Sequence, residues 1–148
     1  MMAFSKLSAE LRAQAEVLLA QPVLARIATV NPKTLQPHVV PLWYLWDDAC
    51  IWVSGFRSTR KFRELMMNPR CAISVEPADP KSSKIQGILF EGNAEVITSP
   101  RSLVEEMSTR IYLRYLGEEG LKAADPQSWI HDPENLVVCL CPQRVYTW

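Results

Sequence analysis

Residues 50–65 read CIWVSGFRSTRKFREL, and the rest of the chain is organised around them. The first four of these residues are mostly β-branched or aromatic, which predicts a strand. Phe62, Leu65 and Met66 then recur at helical spacing, so a short amphipathic helix should follow. A polar turn separates the two elements.

The turn and the helix start combine three cations with two hydroxyls. Ser58 or Thr59 is expected to cap the helix, while Arg57, Arg60 and Lys61 supply charge. A helix start presents unpaired backbone N–H groups and a positive dipole end, so each cation there costs a few tenths of a kcal/mol. The pattern therefore predicts an anion site suited to a phosphate group. The alternative is a capped helix whose basic first turn is simply solvated.

The composition is that of an ordinary globular chain. Its 148 residues suit one domain, 1–148, with 48% hydrophobic and 22% charged residues and no apolar run long enough to span a bilayer. Sixteen basic and sixteen acidic side chains balance, so neither nucleic acid nor a membrane surface is an expected partner. Residues 1–6 lack the pattern of a secretory signal, which favours a cytoplasmic location.

The cysteines and histidines predict no metal centre. Four cysteines lie in apolar, strand-like runs without C-x-x-C spacing: Cys50, Cys71, Cys139 and Cys141. Without a secretory context, reduced and buried thiols are expected. His38 and His131 are far apart and lack a second ligand at metal-binding spacing.

The remaining pattern predicts a mainly β domain with flanking helices. Ser8 begins a packing helix closed by Pro22, and Ser99-Pro100 begins a longer helix that runs to Gly117. Strands are expected over 23–30, 38–46, 50–54, 70–76, 85–97, 136–140 and 145–148. Strand 38–46 is apolar on both faces, so one face should fill a barrel and the other should meet a helix, a ligand or a second subunit.

Several single residues carry local expectations. Pro41 cannot donate to a sheet ladder, which places it at an edge or a bulge. Gly87 and Gly92 are typical of bends where a sheet curls. Segment 118–135 has no predicted structure, and Trp129 is its one large apolar anchor.

Three segments resemble the pyridoxamine 5′-phosphate oxidase-like family of FMN-binding split β-barrels. Residues 36–41, QPHVVP, resemble the family's second strand. Residues 58–61, STRK, and 68–70, NPR, resemble its helix start and the entry to its next strand. The resemblance is good over 27–76 and holds only in outline elsewhere. It implies a split β-barrel of six or so antiparallel strands.

The resemblance also implies a cofactor site and an assembly. In that family the matching cations hold the flavin phosphate, the strand that matches 40–45 lies along the isoalloxazine ring, and the residues that match 54–55 hold its polar edge. The implied cofactor-binding residues are Val40, Pro41, Leu42, Trp43, Ser54, Gly55, Arg57, Ser58, Thr59, Arg60 and Lys61. A homodimer with the cofactor near its interface is implied as well.

Two departures from the oxidases affect the expected substrate. The oxidases place an arginine near the position of Val40, and here Arg57 is the expected substitute. Their carboxy-terminal segment, which binds the vitamin, has no counterpart in this sequence. Arg101, Arg110 and Arg114 should be solvated helix arginines, so few donors remain for a substrate phosphate. Pyridoxine phosphate is therefore not the expected substrate.

The sequence thus predicts an FMN-dependent oxidoreductase acting on a small or planar substrate. No nucleophile with a paired base is apparent, so the catalytic residues are unknown, and hydride transfer by a flavin needs none. Two alternatives stay open: a deazaflavin-dependent reductase on the same fold, and a flavin- or haem-binding protein without turnover. Four tryptophans are candidates either to flank the ring or to fill the core: Trp43, Trp46, Trp52 and Trp148.

Overall fold

Residues 3–148 are described by the structure, which is a computed structural model. They form nine strands in two antiparallel sheets, with four α-helices and two short 3₁₀ turns at Ala3–Lys6 and Pro80–Ser82. Met1 and Met2, part of the segment judged not to be a secretory signal, lie outside the described residues. No helix among the described residues is long and apolar enough to cross a membrane.

The larger sheet has five strands in the order β2-β1-β5-β6-β9. Its members are β1 (Ala25–Val30), β2 (Pro37–Leu42), β5 (Arg70–Val75), β6 (Ile88–Asn93) and β9 (Arg144–Thr147). Pro41 lies on β2, an edge strand, as expected. On β5, Cys71, Ile73 and Val75 are buried on one side, which confirms the predicted alternation.

The smaller sheet has four strands in the order β3-β4-β8-β7. Its members are β3 (Leu45–Asp47), β4 (Cys50–Phe56), β7 (Glu95–Ile97) and β8 (Asn135–Leu140). Every residue of β8 is buried, because one face of the strand fills the barrel interior and the other lies under a long helix. The two sheets share one core, in which Ile27 and Phe90 of the larger sheet pack with Val53 and Val138 of the smaller one, and this defines a split β-barrel.

Four helices flank the sheets: α1 (Ala9–Leu19), α2 (Arg60–Met67), α3 (Arg101–Leu121) and α4 (Ala124–His131). Ser8 caps α1 as predicted, its hydroxyl accepting the N–H of Leu11 at 3.2 Å. At Gly117 the backbone leaves helical geometry, with φ 71° and ψ 175°, so the predicted end of α3 is a kink. Pro100 is the N-cap of α3 rather than its first helical residue.

Two predicted strands are in fact pairs of strands in different sheets. The run 38–46 breaks at Trp43 and Tyr44, and the run 85–97 breaks at Ala94. Tyr44 leaves the ladder because its side chain is fully buried and its N–H is bonded to the hydroxyl of Tyr115, 3.2 Å away. The prediction of continuous strands was wrong at both places, since periodicity alone cannot detect a strand that changes sheets.

The glycines and the unplaced segment also differ from expectation. Gly87 lies under the ring of Trp148, where an added Cβ would fall 2.2 Å from the ring. The missing side chain therefore lets the indole ring pack directly on the backbone of Gly87. Segment 118–135, for which no structure was predicted, contains the end of α3, all of α4 and the first residue of β8, and Ile130 is the large buried side chain of α4. Trp129, the expected anchor, is 37% exposed and contacts Tyr112 edge to face.

Candidate functional site

A small cavity of about 260 Å³ opens where β2, β4 and α3 meet. Its wall contains four of the predicted cofactor-binding residues together with two that the sequence analysis missed. The lining residues are Leu24, Pro41, Leu42, Trp43, Ser54 and Tyr112. Except for Ser54 and the hydroxyl of Tyr112 this wall is apolar, which is typical of a surface that receives a flat ring.

Tyr112 joins this cavity from α3. Burial raises the pKa of Tyr112, and a hydrogen bond with Ser54 partly opposes that shift. The phenol therefore stays protonated near neutral pH and can serve as a hydrogen-bond donor. Tyr112 and Tyr115 lie three residues apart on α3, a helical spacing that could have indicated a shared aromatic face.

Trp43 is held in place by these two tyrosines. Its ring stacks on Tyr115, with centroids 4.9 Å apart and planes 6° apart, and meets Tyr112 edge to face at 5.8 Å. The cavity wall is therefore rigid. Among the four candidate tryptophans, Trp43 alone lines this cavity.

The other three tryptophans have packing roles. Trp46 stacks on Phe90, with centroids 5.0 Å apart, and donates its indole N–H to Glu16. Trp52 packs against the residues beneath α3. Trp148 covers Gly87 at the end of the larger sheet.

The polar turn after β4 leads directly into α2. Thr59 is the N-cap of α2, but its hydroxyl donates to the carbonyl of Phe56 at 2.8 Å and accepts no helix N–H. Ser58 is exposed, so the prediction that either hydroxyl caps the helix was wrong. The first turn of α2 thus has no side-chain cap and no acidic residue, and its N–H groups are open to an external anion.

The three predicted cations at this turn differ in their surroundings. Arg57 is exposed and is fixed through its backbone N–H, which donates to the carbonyl of Glu134 at 2.9 Å. Lys61 is half-buried, and its ammonium lies 4.8 Å from the centre of the Phe62 ring. Burial lowers the pKa of Lys61. A bound anion would favour the charged form of this lysine.

Arg60 has a partner within the chain. Its Nε lies 3.3 Å from a carboxylate oxygen of Glu64, which is only 2% exposed. The second oxygen of Glu64 accepts the hydroxyl of Thr29 at 3.0 Å. Arg60 therefore compensates a buried charge, and only part of its guanidinium remains for an anion.

Two further predicted residues can contribute through their backbone alone. Val40 packs into the barrel core. Gly55 carries no side chain, and an added Cβ would lie 2.5 Å from the ring of Phe62. Gly55 thus lets α2 pack closely against β4.

Arg101 and Arg114 of α3 are not solvated as expected, whereas Arg110 is partly exposed. Arg101 donates to the carbonyls of Asn135 and Asp132, at 2.7 and 2.9 Å. Arg110 pairs with Asp47 at 3.1 Å. Arg114 donates to three backbone carbonyls: Tyr44, Leu19 and Gln21. The expectation overlooked that α3 packs across loop backbone, whose carbonyls need donors.

The cysteine prediction was wrong for two of the four residues. Cys50 and Cys141 form a disulfide, whereas Cys71 and Cys139 are free and buried as expected. Burial and, to a smaller extent, the charge of Glu95 raise the pKa of Cys139 to about 12. The sulfur of Cys139 lies 3.8 Å from that of Cys141. Sequence spacing did not reveal this cluster because two strands, distant in sequence, bring it together.

A larger cavity, of about 590 Å³, lies on the outer face of the larger sheet. It contains none of the predicted site residues, and its wall includes the charged side chains of Arg70, Glu91 and Arg144. Glu91 and Arg144 are paired across β6 and β9. Its lining residues mix these charges with small apolar side chains and include no aromatic ring, so we place the candidate site at the aromatic-walled smaller cavity and the α2 start.

The fold and this arrangement define a split-β-barrel domain with an uncapped basic helix start beside an aromatic-walled cavity. Residues 11–148 match the family model described as pyridoxamine 5′-phosphate oxidase. The chain therefore belongs to the pyridoxamine 5′-phosphate oxidase family. A comparison with curated proteins found no match.

Solved structures share the fold. A conserved hypothetical protein, Rv2991 from Mycobacterium tuberculosis, is 21% identical with a TM-score of 0.73, over 96% of this chain and 85% of its own. A protein named F420 reductase is 23% identical with a TM-score of 0.68, over 88% of this chain and 94% of its own. General Stress Protein 26 from Bacillus anthracis is 16% identical with a TM-score of 0.68, over 93% of both chains.

Proposed function

We propose that this protein binds FMN and is an FMN-dependent oxidoreductase. The phosphate would lie at the turn 57–61, the ring along 40–43 and its polar edge at Ser54 and Gly55. The observation that carries the proposal is the uncapped start of α2, which has no acidic residue in its first turn and follows directly from the strand that supplies Ser54. Membership of the family supports the same cofactor class.

The flavin, when bound, supplies the hydride and electron transfer. The residues of this chain bind and orient it. Trp43, held between two tyrosines, presents a rigid wall, and Tyr112 and Ser54 offer hydroxyls at its edge. Arg57 and Lys61 neutralise the phosphate, while Arg60 shares its charge with Glu64.

We further propose a homodimer with the cofactor near its interface. The cavity of about 260 Å³ falls below the roughly 300–1,000 Å³ of small-molecule pockets, so a second subunit would complete it. Near the cavity, the β2 edge of the larger sheet exposes Val39, at 61%, which is compatible with an isologous interface. Light scattering of the cofactor-loaded protein tests this: a dimer is expected, and a monomer at micromolar concentration contradicts it.

The proposed substrate is a small or planar molecule other than pyridoxine phosphate. A substrate phosphate needs donors beyond those that hold the flavin phosphate. The three arginines of α3 are engaged with backbone carbonyls and Asp47. We expect no aldehyde when the FMN-loaded protein is incubated with pyridoxine phosphate and oxygen. Turnover of about 1 per second or faster would contradict this proposal.

The deazaflavin coenzyme is the second candidate cofactor, because the structure named F420 reductase shares this fold and 23% of its residues. A flavin- or haem-binding protein without turnover is the remaining alternative. The visible spectrum of the purified protein separates these possibilities, since the three chromophores absorb differently. A flavin spectrum, reducible by a nicotinamide donor, is the expected result. A deazaflavin or haem spectrum would overturn the FMN proposal. A cytoplasmic location remains a prediction.

A further inference from the structure

Three sulfur atoms form a cluster away from the cavity and the α2 start. The sulfurs of Cys50, Cys139 and Cys141 all lie within 4.8 Å of one another. Cys50 and Cys141 are joined as a disulfide, and Cys139 is a free thiol. None of the residues discussed for cofactor binding belongs to this cluster.

The strands of the smaller sheet fix the cluster. Ile51 pairs directly with Leu140, so Cys50 and Cys141, the residues beside them, are brought together at the strand ends. Cys139 precedes Cys141 by two residues and therefore lies on the same face of the chain. The paired ends of β4 and β8 thus bring the three sulfurs together.

The spacing suits a metal–thiolate centre. Zinc binds cysteine sulfur at about 2.3 Å with tetrahedral geometry, which sets ligand sulfurs about 3.8 Å apart. The sulfurs of Cys139 and Cys141 are already 3.8 Å apart. Opening the disulfide would let Cys50 move to a similar distance by side-chain rotation, since its Cα lies 4.2 Å from that of Cys141.

The surroundings admit a cation. Glu95 lies opposite Cys139 in the β7–β8 ladder, so its side chain is on the same side of the sheet as the Cys139 sulfur. Cys50 and Cys139 are each 7% exposed, whereas Cys141 is exposed. A reductant can therefore reach the Cys141 sulfur of the disulfide. A metal ion bound by all three sulfurs would be shielded from solvent on the side of Cys50 and Cys139.

We propose that in the reduced protein Cys50, Cys139 and Cys141 form a thiolate site for a soft divalent metal ion such as zinc. The Cys50–Cys141 disulfide removes two of the three ligands and so abolishes the site. A dithiol breaks the S–S bond with two electrons, giving two protein thiols and one oxidised reagent. The three thiols then lose three protons and form three metal–sulfur bonds, and a water molecule or Glu95 supplies the fourth ligand. Oxidation by a disulfide reagent reverses the sequence and releases the ion.

The test is a titration of the full chain with Cd²⁺ and Zn²⁺, before and after reduction by a dithiol that is then removed without air. We expect the untreated protein to have two free thiols in denaturant and to bind metal weakly. The reduced protein should bind one ion per chain, with a cadmium–thiolate charge-transfer band in the ultraviolet. Oxidation should release it to a chromogenic chelator.

Matched variants separate this site from general thiol binding. Cys139→Ala keeps both disulfide partners and should lower the affinity of the reduced protein at least tenfold. Cys71→Ala removes the free buried thiol of β5, outside the cluster, and should leave the affinity unchanged. Equal affinity in Cys139→Ala and wild type overturns the proposal, as does reduced wild type that binds no metal or loses its circular dichroism. Four free thiols in the untreated protein overturn the disulfide step.

Discussion

The arginines of α3 and the cations of the β4–α2 turn have the same charge but opposite surroundings. Arg101 and Arg114 donate to backbone carbonyls of neighbouring loops, and Arg110 pairs with Asp47. At the other region Arg57 is exposed and Lys61 contacts an aromatic ring, while Arg60 alone has an acidic partner.

The difference indicates which cations are available for a ligand. A guanidinium that satisfies several carbonyls stabilises the fold and cannot leave them without a penalty. A cation beside an uncapped helix start lacks such partners and adds to an anion-binding surface. Charge counted along the sequence does not distinguish the two cases, whereas hydrogen-bond partners do.

Removal of Arg57 and Lys61 should have the largest effect. In Arg57→Ala/Lys61→Ala, the loss of two charge-assisted hydrogen bonds should weaken FMN binding by roughly 3–6 kcal/mol, or about 10²–10⁴-fold. The variant leaves the Arg60–Glu64 pair intact, so stability should change little. Fluorescence titration with FMN measures the effect.

A control with the same change in net charge is Lys33→Ala/Lys84→Ala, since both side chains are exposed and lie outside α2. It should bind FMN as wild type does. An equal loss in both double variants would mean that general charge, and not the α2 start, attracts the cofactor.

Truncation of a fold-stabilising arginine should reduce stability by an intermediate amount. Arg114→Ala removes the donor to three carbonyls and the cation over the Tyr44 ring, 4.7 Å from its centre. We expect a loss of about 2–4 kcal/mol in the free energy of unfolding, because water can replace only part of these bonds. Urea denaturation measures it. A loss under 0.5 kcal/mol would remove the contrast between the two regions.

Removal of the Tyr115 hydroxyl, which bonds to the same loop as Arg114, should reduce stability by a smaller amount. Tyr115→Phe keeps the stack on Trp43 but deletes the bond to the carbonyl of Val23, at 2.7 Å, and the acceptor of the Tyr44 N–H. The expected loss is about 1–2 kcal/mol of unfolding free energy. A matched change, Tyr146→Phe, alters an exposed tyrosine and should be neutral within about 0.5 kcal/mol.

The smallest expected effect is a pH dependence of FMN binding. Burial lowers the pKa of Lys61, so the free protein loses this proton at a lower pH than an ordinary lysine does. Binding of a phosphate favours the charged lysine, and affinity should therefore fall as the pH rises through that pKa. Lys61→Arg stays charged and should bind FMN without this decline. The same alkaline decline in both proteins would assign the titration to another group.

Local sequence signals predicted the helices and strands but not the points where the chain passes from one sheet to the other. The Ser8 cap and the alternation on β5 are read from neighbouring residues, and the structure agrees with both. The break at Tyr44 depends on the hydroxyl of Tyr115, 71 residues away, and no local pattern encodes that contact.

The candidate site was likewise predicted where its residues are close in sequence and missed where they are distant. The resemblance named Pro41, Leu42, Trp43 and Ser54, which the structure brings together. Tyr112 was missed because it comes from α3, outside the segment of good resemblance. The disulfide was missed for a similar reason, since the spacing of Cys50 and Cys141 carries no signal until β4 and β8 are paired.

A comparison of FMN with riboflavin, which lacks the phosphate, tests the central claim most directly. Both affinities are measured for wild type and for Arg57→Ala/Lys61→Ala. Wild type should bind FMN at least about 10²-fold more tightly than riboflavin, because the phosphate adds charge-assisted bonds at the α2 start. The double variant should bind riboflavin as wild type does and lose most of the preference for FMN. An unchanged preference in the variant, or equal affinities in wild type, would contradict the assignment of the phosphate to this helix start.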